Sequence, residues 1–587
     1  MLKEQYEKSF SKPLPSACVQ DGQSFFQMEA DFEISGSFSN IFFTHEDVKD
    51  AIDDLSMNAA PGPDYFPAIL LKKGKLSVCF PLTEIFQTSL DTGEVPAILK
   101  CAYITPLFKG GMKSLPISYR PVSLTSHLSK TFERIIRKSL VAFLEVNERM
   151  NPAQHGFRVG RSCLSQLLEH YDQVLKILES GDNVDCIYLD FSKCFDKIDI
   201  GLLCHKLRRI GIHSKIAVWL HSFLSDREQF ILVGDHLSAS SKVISGVPQG
   251  TVLGPILALI FLADIDANVE NIASMFCDDT RILSGISCEE DVEALQEDLN
   301  KVFAWADNNN MKFNSEKFEL LRYGKNEEIK LNTIYFSADD NIIEEKEVLR
   351  DLGVQMNNKA DFSDHIRKVC QKVKQKSGWI LRTFKTRSPF LMKTLWKQLA
   401  QPHVDYCSQL FMPVNGSNLT DLENLQRSFT NRIPEVKHLG YWERLKKLQM
   451  LSQQRRLERY RVIYLWKIME GKSPNCGIQN SIKSERLGRT CPLPEVKKSS
   501  SQRIQTLREN SFQIHAPKLF NSLPKEIRNL TGCSVDKFKE ALDQFLEGVP
   551  DEPKVSGADY TPGACDLFSA QPSNSIIDQI RRMKNGG

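Results

Sequence analysis

At 587 residues the chain is too long for a single hydrophobic core, and roughly two to four domains are expected. An apolar fraction of 41% with 25% charged residues excludes a disordered or fibrous chain, and a net charge of +2 leaves partners to be read from local charge clusters. Fifteen scattered cysteines with no Cys-x-x-Cys and no zinc spacing read as buried, reduced thiols of an intracellular protein.

The N-terminal MLKEQYEKSF is charged and lacks the apolar core of a signal peptide. The longest strongly apolar run, Ile256–Ala263, is too short to span a bilayer. Residues 1–45 read as a connector that opens with a short helix. Thr44-His45-Glu46-Asp47 has the form of an N-cap with an acidic first turn, leading a helix through Val48, Ile52 and Leu55. Ala60-Pro61-Gly62-Pro63-Asp64 is a rigid turn.

Ala102–Phe108 is strand-like and runs into Lys109, Gly110, Gly111 and Lys113, with Tyr119-Arg120-Pro121 following. Ser126–Leu144 carries apolar residues at 128, 132, 135, 136, 140, 143 and 144, an amphipathic helix. Gln154–Ser162 is a Gly/Arg-rich loop ahead of a second helix, Leu164–Leu178. Both basic stretches carry groups suited to triphosphate oxygens, Arg as a fork and Lys as a point charge. A plainly solvated basic loop is the competing reading of each.

Cys186–Leu189 is a compact apolar strand ending on Asp190, a charge poised at the edge of a sheet, with Phe195 and Asp196 soon after. The competing role for Asp190 is a helix N-cap. Ser245–Leu262 places Gln249 on a stiff Gly/Pro frame suited to close approach of a ligand backbone, followed by a helix apolar all round. Ile272–Phe276 and Thr280–Leu283 flank the adjacent acids Asp278 and Asp279, as in a β-hairpin with the acids at its turn. Adjacent carboxylates repel and resist burial, and a divalent cation removes both costs; an ordinary acidic turn is the plain alternative. A helix is predicted over Asp291–Ala306, with Lys317 beyond it.

Residues 365–404 contain ten Lys/Arg and no Asp or Glu, with Trp379, Phe384, Phe390 and Trp396 interleaved. This is a polyanion footprint, against a basic amphipathic helix on a membrane or partner. The four aromatics read as anchors of these helices rather than as base-stacking groups. Residues 546–587 mix acids, Ser, Pro and Gly and are expected to be a largely disordered tail.

In order and spacing these stretches resemble the reverse transcriptases of non-LTR (LINE-type) retrotransposons, most closely the jockey/CR1-like group. The resemblance is carried by APGPD (60–64), ITPLFKGG (104–111), YRPVSLTS (119–126), QHGFRVGRS (154–162), YLDFSKCFDKID (188–199), SGVPQGTVLGPILALIFLADI (245–265), FCDDT (276–280), NNMKFNSEKFELLRYG (309–324) and VLRDLGVQM (348–356). It extends through RSFTNRIPE (427–435), YWERLKKLQMLSQQRRLERY (441–460) and FNSLPKEIRN (520–529), so that it covers roughly residues 1–545.

The resemblance implies RNA-templated DNA synthesis from a primer 3′-hydroxyl, with an RNA template, a DNA primer and dNTPs as partners. Asp190, Asp278 and Asp279 match the catalytic aspartates. They would hold two Mg²⁺ ions about 3.5–4 Å apart, Mn²⁺ being an alternative, with the backbone carbonyl of Phe191 as a further ligand. Lys109 and Arg120 match triphosphate contacts, and Phe195 the bulky residue that excludes a 2′-hydroxyl. Gln249 and Lys317 match residues near the incoming nucleotide. Phe195 disfavours an RNA-dependent RNA polymerase. Arg367, Lys368, Lys372, Lys374, Lys376, Arg382 and Lys385 are the candidate nucleic-acid contacts on the basic stretch.

Cys277 and Cys194 stand where such enzymes commonly have Ala, and no RNase H motif or zinc knuckle is visible. Full-length elements of the group carry an endonuclease ahead of the polymerase, and this chain starts in the connector that would follow it, as expected of a truncated element or a partial gene model. A catalytically silent nucleic-acid-binding remnant is the alternative. The implied fold is an α+β right hand. Its expected parts are a connector (1–45), fingers and palm (46–325), thumb and basic helices (326–415), a helical C-terminal region (416–545) and a disordered tail (546–587). No membrane contact is expected, and the implied compartments are cytoplasm and nucleus.

Overall fold

Capping and turn residues set the element boundaries. The computed structural model describes residues 1–12, 38–324, 333–412, 416–486, 488–497, 499, 501–551 and 574–585. Helix α1 (Leu2–Glu7) buries Tyr6 beside Ile104 and Ile231. A capping box between Thr44 and Asp47 starts α2 (His45–Asp53), and α3 (Ala68–Thr92) ends on Gly93 in the left-handed region. Strands β1 (Cys101–Phe108) and β2 (Tyr119–Thr125) pair antiparallel, with Leu107 opposite Arg120. Ser126 caps α4 (His127–Val146), and a Ser162–Ser165 box starts α5 (Cys163–Ser180).

Strand β3 (Asn183–Leu189) follows, then α6 (Ile200–Arg209) and α7 (Ser214–Leu224). Strand β4 (Arg227–Val233) runs parallel to β1 and carries the short β5 (His236–Leu237) and β6 (Ser241–Val243). Helix α8 (Gly254–Phe261) is buried on all sides, as its sequence requires. The hairpin β7 (Ile272–Phe276) and β8 (Asp279–Ile286) leads into α9 (Glu289–Asn308), β9 (Glu319–Tyr323) and the two-residue β10 (Glu344–Glu345). The central sheet has the order β10-β9-β3-β8-β7.

Side-chain alternation makes this sheet a partition between two cores. On β3, Ile187 and Leu189 face a core built from residues 41–343, while Val184 and Cys186 face another that runs from 167 to 580. β8 splits likewise, Ile282 and Ile286 to the first and Leu283 to the second. The second core is closed by α5, by the hairpin β11 (Val348–Asp351) and β12 (Val354–Asn357), and by the helices that follow.

Helix α10 (Ser363–Thr383) is amphipathic: Ile366, Val369, Cys370, Val373 and Ile380 are buried, and its cations face out. After α11 (Pro389–Leu395) come α12 (Gly416–Thr430), α13 (Tyr441–Leu448), α14 (Gln453–Met469), α15 (Gln502–Asn510), α16 (Phe512–Ser522) and α17 (Val535–Glu547). These helices join α5 directly. The Arg508 side chain, 2% exposed, pairs with Asp172 of α5, and Gln513 donates to the Leu168 carbonyl at 3.1 Å.

Two expectations differ from the structure. Only Trp396 of the four aromatics is buried and Phe384 half-buried, whereas Trp379 and Phe390 are 47% and 83% exposed. The stretch 546–587 is not wholly irregular: α18 (Ile576–Asn585) seats Ile576 and Ile580 in the second core, because their i, i+4 spacing makes an apolar stripe. Residues 552–573 of that stretch, and 13–37 of the connector, lie outside the described residues. No helix among the described residues is long and apolar enough to cross a membrane.

Candidate active site

The acid pair sits where the sequence places it. Phe276 is the last residue of β7 paired across to Asp279, and Cys277 and Asp278 form the turn, with Cys277 at φ 60°. Strand β3 pairs antiparallel with β8, the last partners being Leu189 and Thr280. Asp190 and Asp279 therefore lie one step beyond that pair, at the same end of the sheet. Asp190 does not cap a helix: the next helical turn, Cys194–Lys197, is preceded by Lys193 in the left-handed region.

The three carboxylates disfavour one another's charge. Burial raises Asp278 above the usual carboxylate range and Asp190 adds to it, while Arg120 and Lys109 act the other way. Asp279 opens to solvent, yet the protein packed around it, with Asp278 and Asp190, pushes it up to about 6. Asp190 forms an ion pair with Lys317. That donor set, hard oxygens held together against their own repulsion, fits a divalent cation. Among the described residues no three carboxylate, His or Cys groups make a finished metal cage. Mg²⁺ asks for less, since it takes one or two protein carboxylates and completes its shell with water and phosphate.

The nucleotide-side candidates fall into two groups. Lys109 and Arg120 are both exposed, at the end of the β1–β2 pair, with their charges felt at Asp278. Phe195 and Gln249 meet around Asp196: Gln249 Nε2 donates to Asp196 Oδ1 at 2.8 Å, and the Phe195 carbonyl accepts from Val247 N–H at 2.8 Å. The Gly/Pro frame allows this close contact. Gly246 has φ +86°, and a Cβ there would lie 2.6 Å from the Phe195 carbonyl oxygen. Phe191 is buried and stacks on Phe313 at 4.2 Å.

The seven basic candidates form a group of their own on and just after α10. Arg367 pairs with Asp364 at 2.8 Å and Lys368 donates to Gln355 at 3.3 Å. Lys372, Lys374, Lys376, Arg382 and Lys385 are exposed.

The Gly/Arg loop departs from the phosphate-binding expectation. Arg158 pairs with Glu145 at 2.7 Å, and Arg161 donates to the Pro152 carbonyl at 2.6 Å, so both guanidinium groups are used inside the fold. Charge type is visible in a sequence; the acid or carbonyl that consumes it is not. In the same loop Gln154 and His155 reach the hairpin and α5, and no sequence pattern announced that.

The stretch that holds the three acids is similar to known proteins. Residues 109–376 match the family described as "Reverse transcriptase (RNA-dependent DNA polymerase)". The "RNA-directed DNA polymerase from mobile element jockey" of Drosophila melanogaster is 27% identical over 419 residues, covering 69% of this chain and 45% of the relative. The "Probable RNA-directed DNA polymerase from transposon BS" of the same species is 26% identical over 399 residues, covering 65% and 43%. The chain thus spans less than half the length of these relatives. Among solved structures, apo telomerase from Candida Tropicalis, truncated from its C-terminal domain, aligns at TM-score 0.33 and 12% identity over 50% of this chain and 60% of that one. Residues 109–376, somewhat under half of the chain, thus match the reverse transcriptase family, and the chain is similar to the polymerases named for the jockey and BS elements.

Proposed function

We propose that the chain is an RNA-directed DNA polymerase that extends a primer 3′-hydroxyl with dNTPs on an RNA template. The observation that carries this is the meeting of Asp190, Asp278 and Asp279 at one end of the central sheet, where burial and the two neighbouring acids raise the Asp279 carboxyl to about 6. Asp190, Asp278 and Asp279, with the Phe191 carbonyl, would hold two Mg²⁺ or Mn²⁺ ions. When bound, such ions neutralise charge on the attacking and leaving oxygens of an in-line displacement.

The chain's own groups position the rest. Lys109 and Arg120 face the acids and take the triphosphate oxygens, Arg as a fork and Lys as a point charge. Phe195 closes the sugar side, and its carbonyl is fixed by Val247. Gln249, held by Asp196, sets the floor on which the nucleotide and template base lie. Lys317 holds Asp190 and is placed to meet the incoming nucleotide when that pair opens. The basic face of α10, from Arg367 to Lys385, tracks the primer–template phosphates. The compartments proposed are cytoplasm and nucleus, where template RNA and target DNA are met.

The test is primer extension on a defined RNA template with purified protein, Mg²⁺ and dNTPs. Asp190→Ala or Asp278→Ala is expected to lower kcat by at least about 10²–10³-fold, as loss of one oriented charge-stabilising group does. Duplex affinity should stay within about twofold, because it comes from α10. Near-normal turnover by either variant refutes the assignment.

A further inference from the structure

Cys277 is a non-glycine residue at φ 60°, directly ahead of Asp278. Such a conformation persists only where the surroundings impose it. They do so through one side chain. Gln154 is 3% exposed. Its Oε1 accepts from Cys277 N–H at 2.8 Å and from Gly156 N–H at 2.7 Å, and its Nε2 donates to the Cys277 carbonyl at 3.1 Å. One amide thus holds both polar groups of the residue at the turn.

The segment that carries Gln154 is laid against the hairpin as an added edge. Met275 N–H donates to the Ala153 carbonyl at 3.0 Å, and His155 N–H to the Met275 carbonyl at 2.9 Å. His155 is anchored in turn to α5, with Nδ1 2.8 Å from Ser165 Oγ and Nε2 3.1 Å from Glu169. Gly156 completes the seat: a Cβ there would fall 2.5 Å from Cys277 Sγ and 2.6 Å from its backbone nitrogen. Gln154 touches neither acid.

We propose that Gln154 is a positioning residue for the Asp278–Asp279 turn, fixing the Cys277 peptide so that the two carboxylates keep one orientation relative to Asp190. This rests on the reading of those acids as catalytic. A hairpin tip held only by its two strands would fluctuate, and a displacement of about 1 Å at the reacting centre costs on the order of 10² in rate. Gln154 and Gly156 would therefore govern turnover without contacting substrate, and the loop would serve the acids rather than phosphate.

The test compares Gln154→Met, of the same length but with no polar atom, with Gln154→Glu, which keeps an acceptor for the Cys277 and Gly156 N–H groups and, protonated in this buried seat, can still donate to the Cys277 carbonyl. Two quantities are read: steady-state kcat and dNTP KM in primer extension, and hydrogen exchange at the Cys277 amide by mass spectrometry of the 272–280 peptide. Gln154→Met is expected to lower kcat about 100-fold with KM within threefold, and to speed Cys277 exchange at least tenfold. Gln154→Glu should keep Cys277 protected and hold kcat above that of Gln154→Met. Gly156→Ala should reproduce the kcat loss with Gln154 intact, and it carries the test if Gln154→Met does not fold.

Gln154→Met with kcat within twofold of wild type overturns the proposal. So does a kcat loss without faster Cys277 exchange, or a loss confined to KM. If the wild-type chain itself does not extend primers, the polymerase reading falls, while the exchange measurement still decides whether Gln154 holds the turn.

Discussion

Arg508→Met tests whether the C-terminal helices share one cooperative core with α5 and the central sheet. The Arg508 and Asp172 side chains are 2% and 3% exposed and pair with each other. Removing the guanidinium leaves Asp172 with Lys176, 2.8 Å away and 47% exposed. Glu179, whose Oε2 lies 3.7 Å from Arg508 Nε, loses its nearest cation. Deleting one partner of a buried pair costs about 3–5 kcal/mol. Because Lys176 remains, the low end applies, about 3 kcal/mol, or roughly 10²-fold in an opening equilibrium. The assay is native-state hydrogen exchange. Amides of α5 and α15 should lose about 100-fold in protection, while those of β1 and β2, which lie outside the second core, keep theirs. Asp172→Leu combined with Arg508→Met should recover most of the loss, since an apolar pair in place of an ionic one is close to neutral. If α5 protection falls by less than threefold in the single variant, the helices are merely appended and the shared core does not hold them.

Phe195→Val should raise incorporation of rNTP relative to dNTP, measured on one template under identical conditions; an unchanged ratio removes Phe195 from the sugar gate. Replacing Lys372, Lys374 and Lys376 with Gln should weaken binding to all sequences alike and flatten the slope of log K against log[salt] by up to about three, at about 0.9 for each phosphate no longer neutralised. A flattening of about one still supports the assignment, and an unchanged slope moves α10 to another surface. Burial pushes Glu423 up to about 8, so it stays protonated in the folded protein while it ionises above about 4.5 in the unfolded chain. Its contribution is complete below about pH 4.5 and is lost as pH rises to about 8. Thermal melts of wild type against Glu423→Gln should therefore show a difference that narrows or reverses toward pH 8, and a constant offset would refute it.

What a local pattern encodes was legible: the strand ending on Asp190, the acid pair at its hairpin, the amphipathic α4 and α5, and the outward cations of α10. Each follows from a period of two or 3.6 residues or from a cap a few positions away. What was not legible is pairing across long separations. Asp172 and Arg508 are 336 residues apart, and neither has a neighbour in sequence that marks it. Arg158 and Arg161 looked available for phosphate because Glu145 and the Pro152 carbonyl, which satisfy them, are specified only by the fold. The ion pair of Lys317 with Asp190, 127 residues earlier, was not legible for the same reason. The aromatics divided because helix phase, not composition, sets exposure: Trp396 turns inward and Phe390 outward.

The partition of the central sheet also sets a timetable. Every residue of the first core lies between 41 and 343, so that face can close as soon as this length of chain has left the ribosome. The other face cannot. Asp172 emerges 336 residues before Arg508, and at about 5–20 residues per second the wait is roughly 20–70 s. Through that interval the apolar stripe of α5, with Leu168, Val174 and Leu175, has no cover from the C-terminal helices. A nascent chain with a finished front and an open back is the species that chaperones and proteases meet first. Silent codon changes that slow translation between Asp172 and Arg508 should then lower the yield of this protein without altering one residue of it.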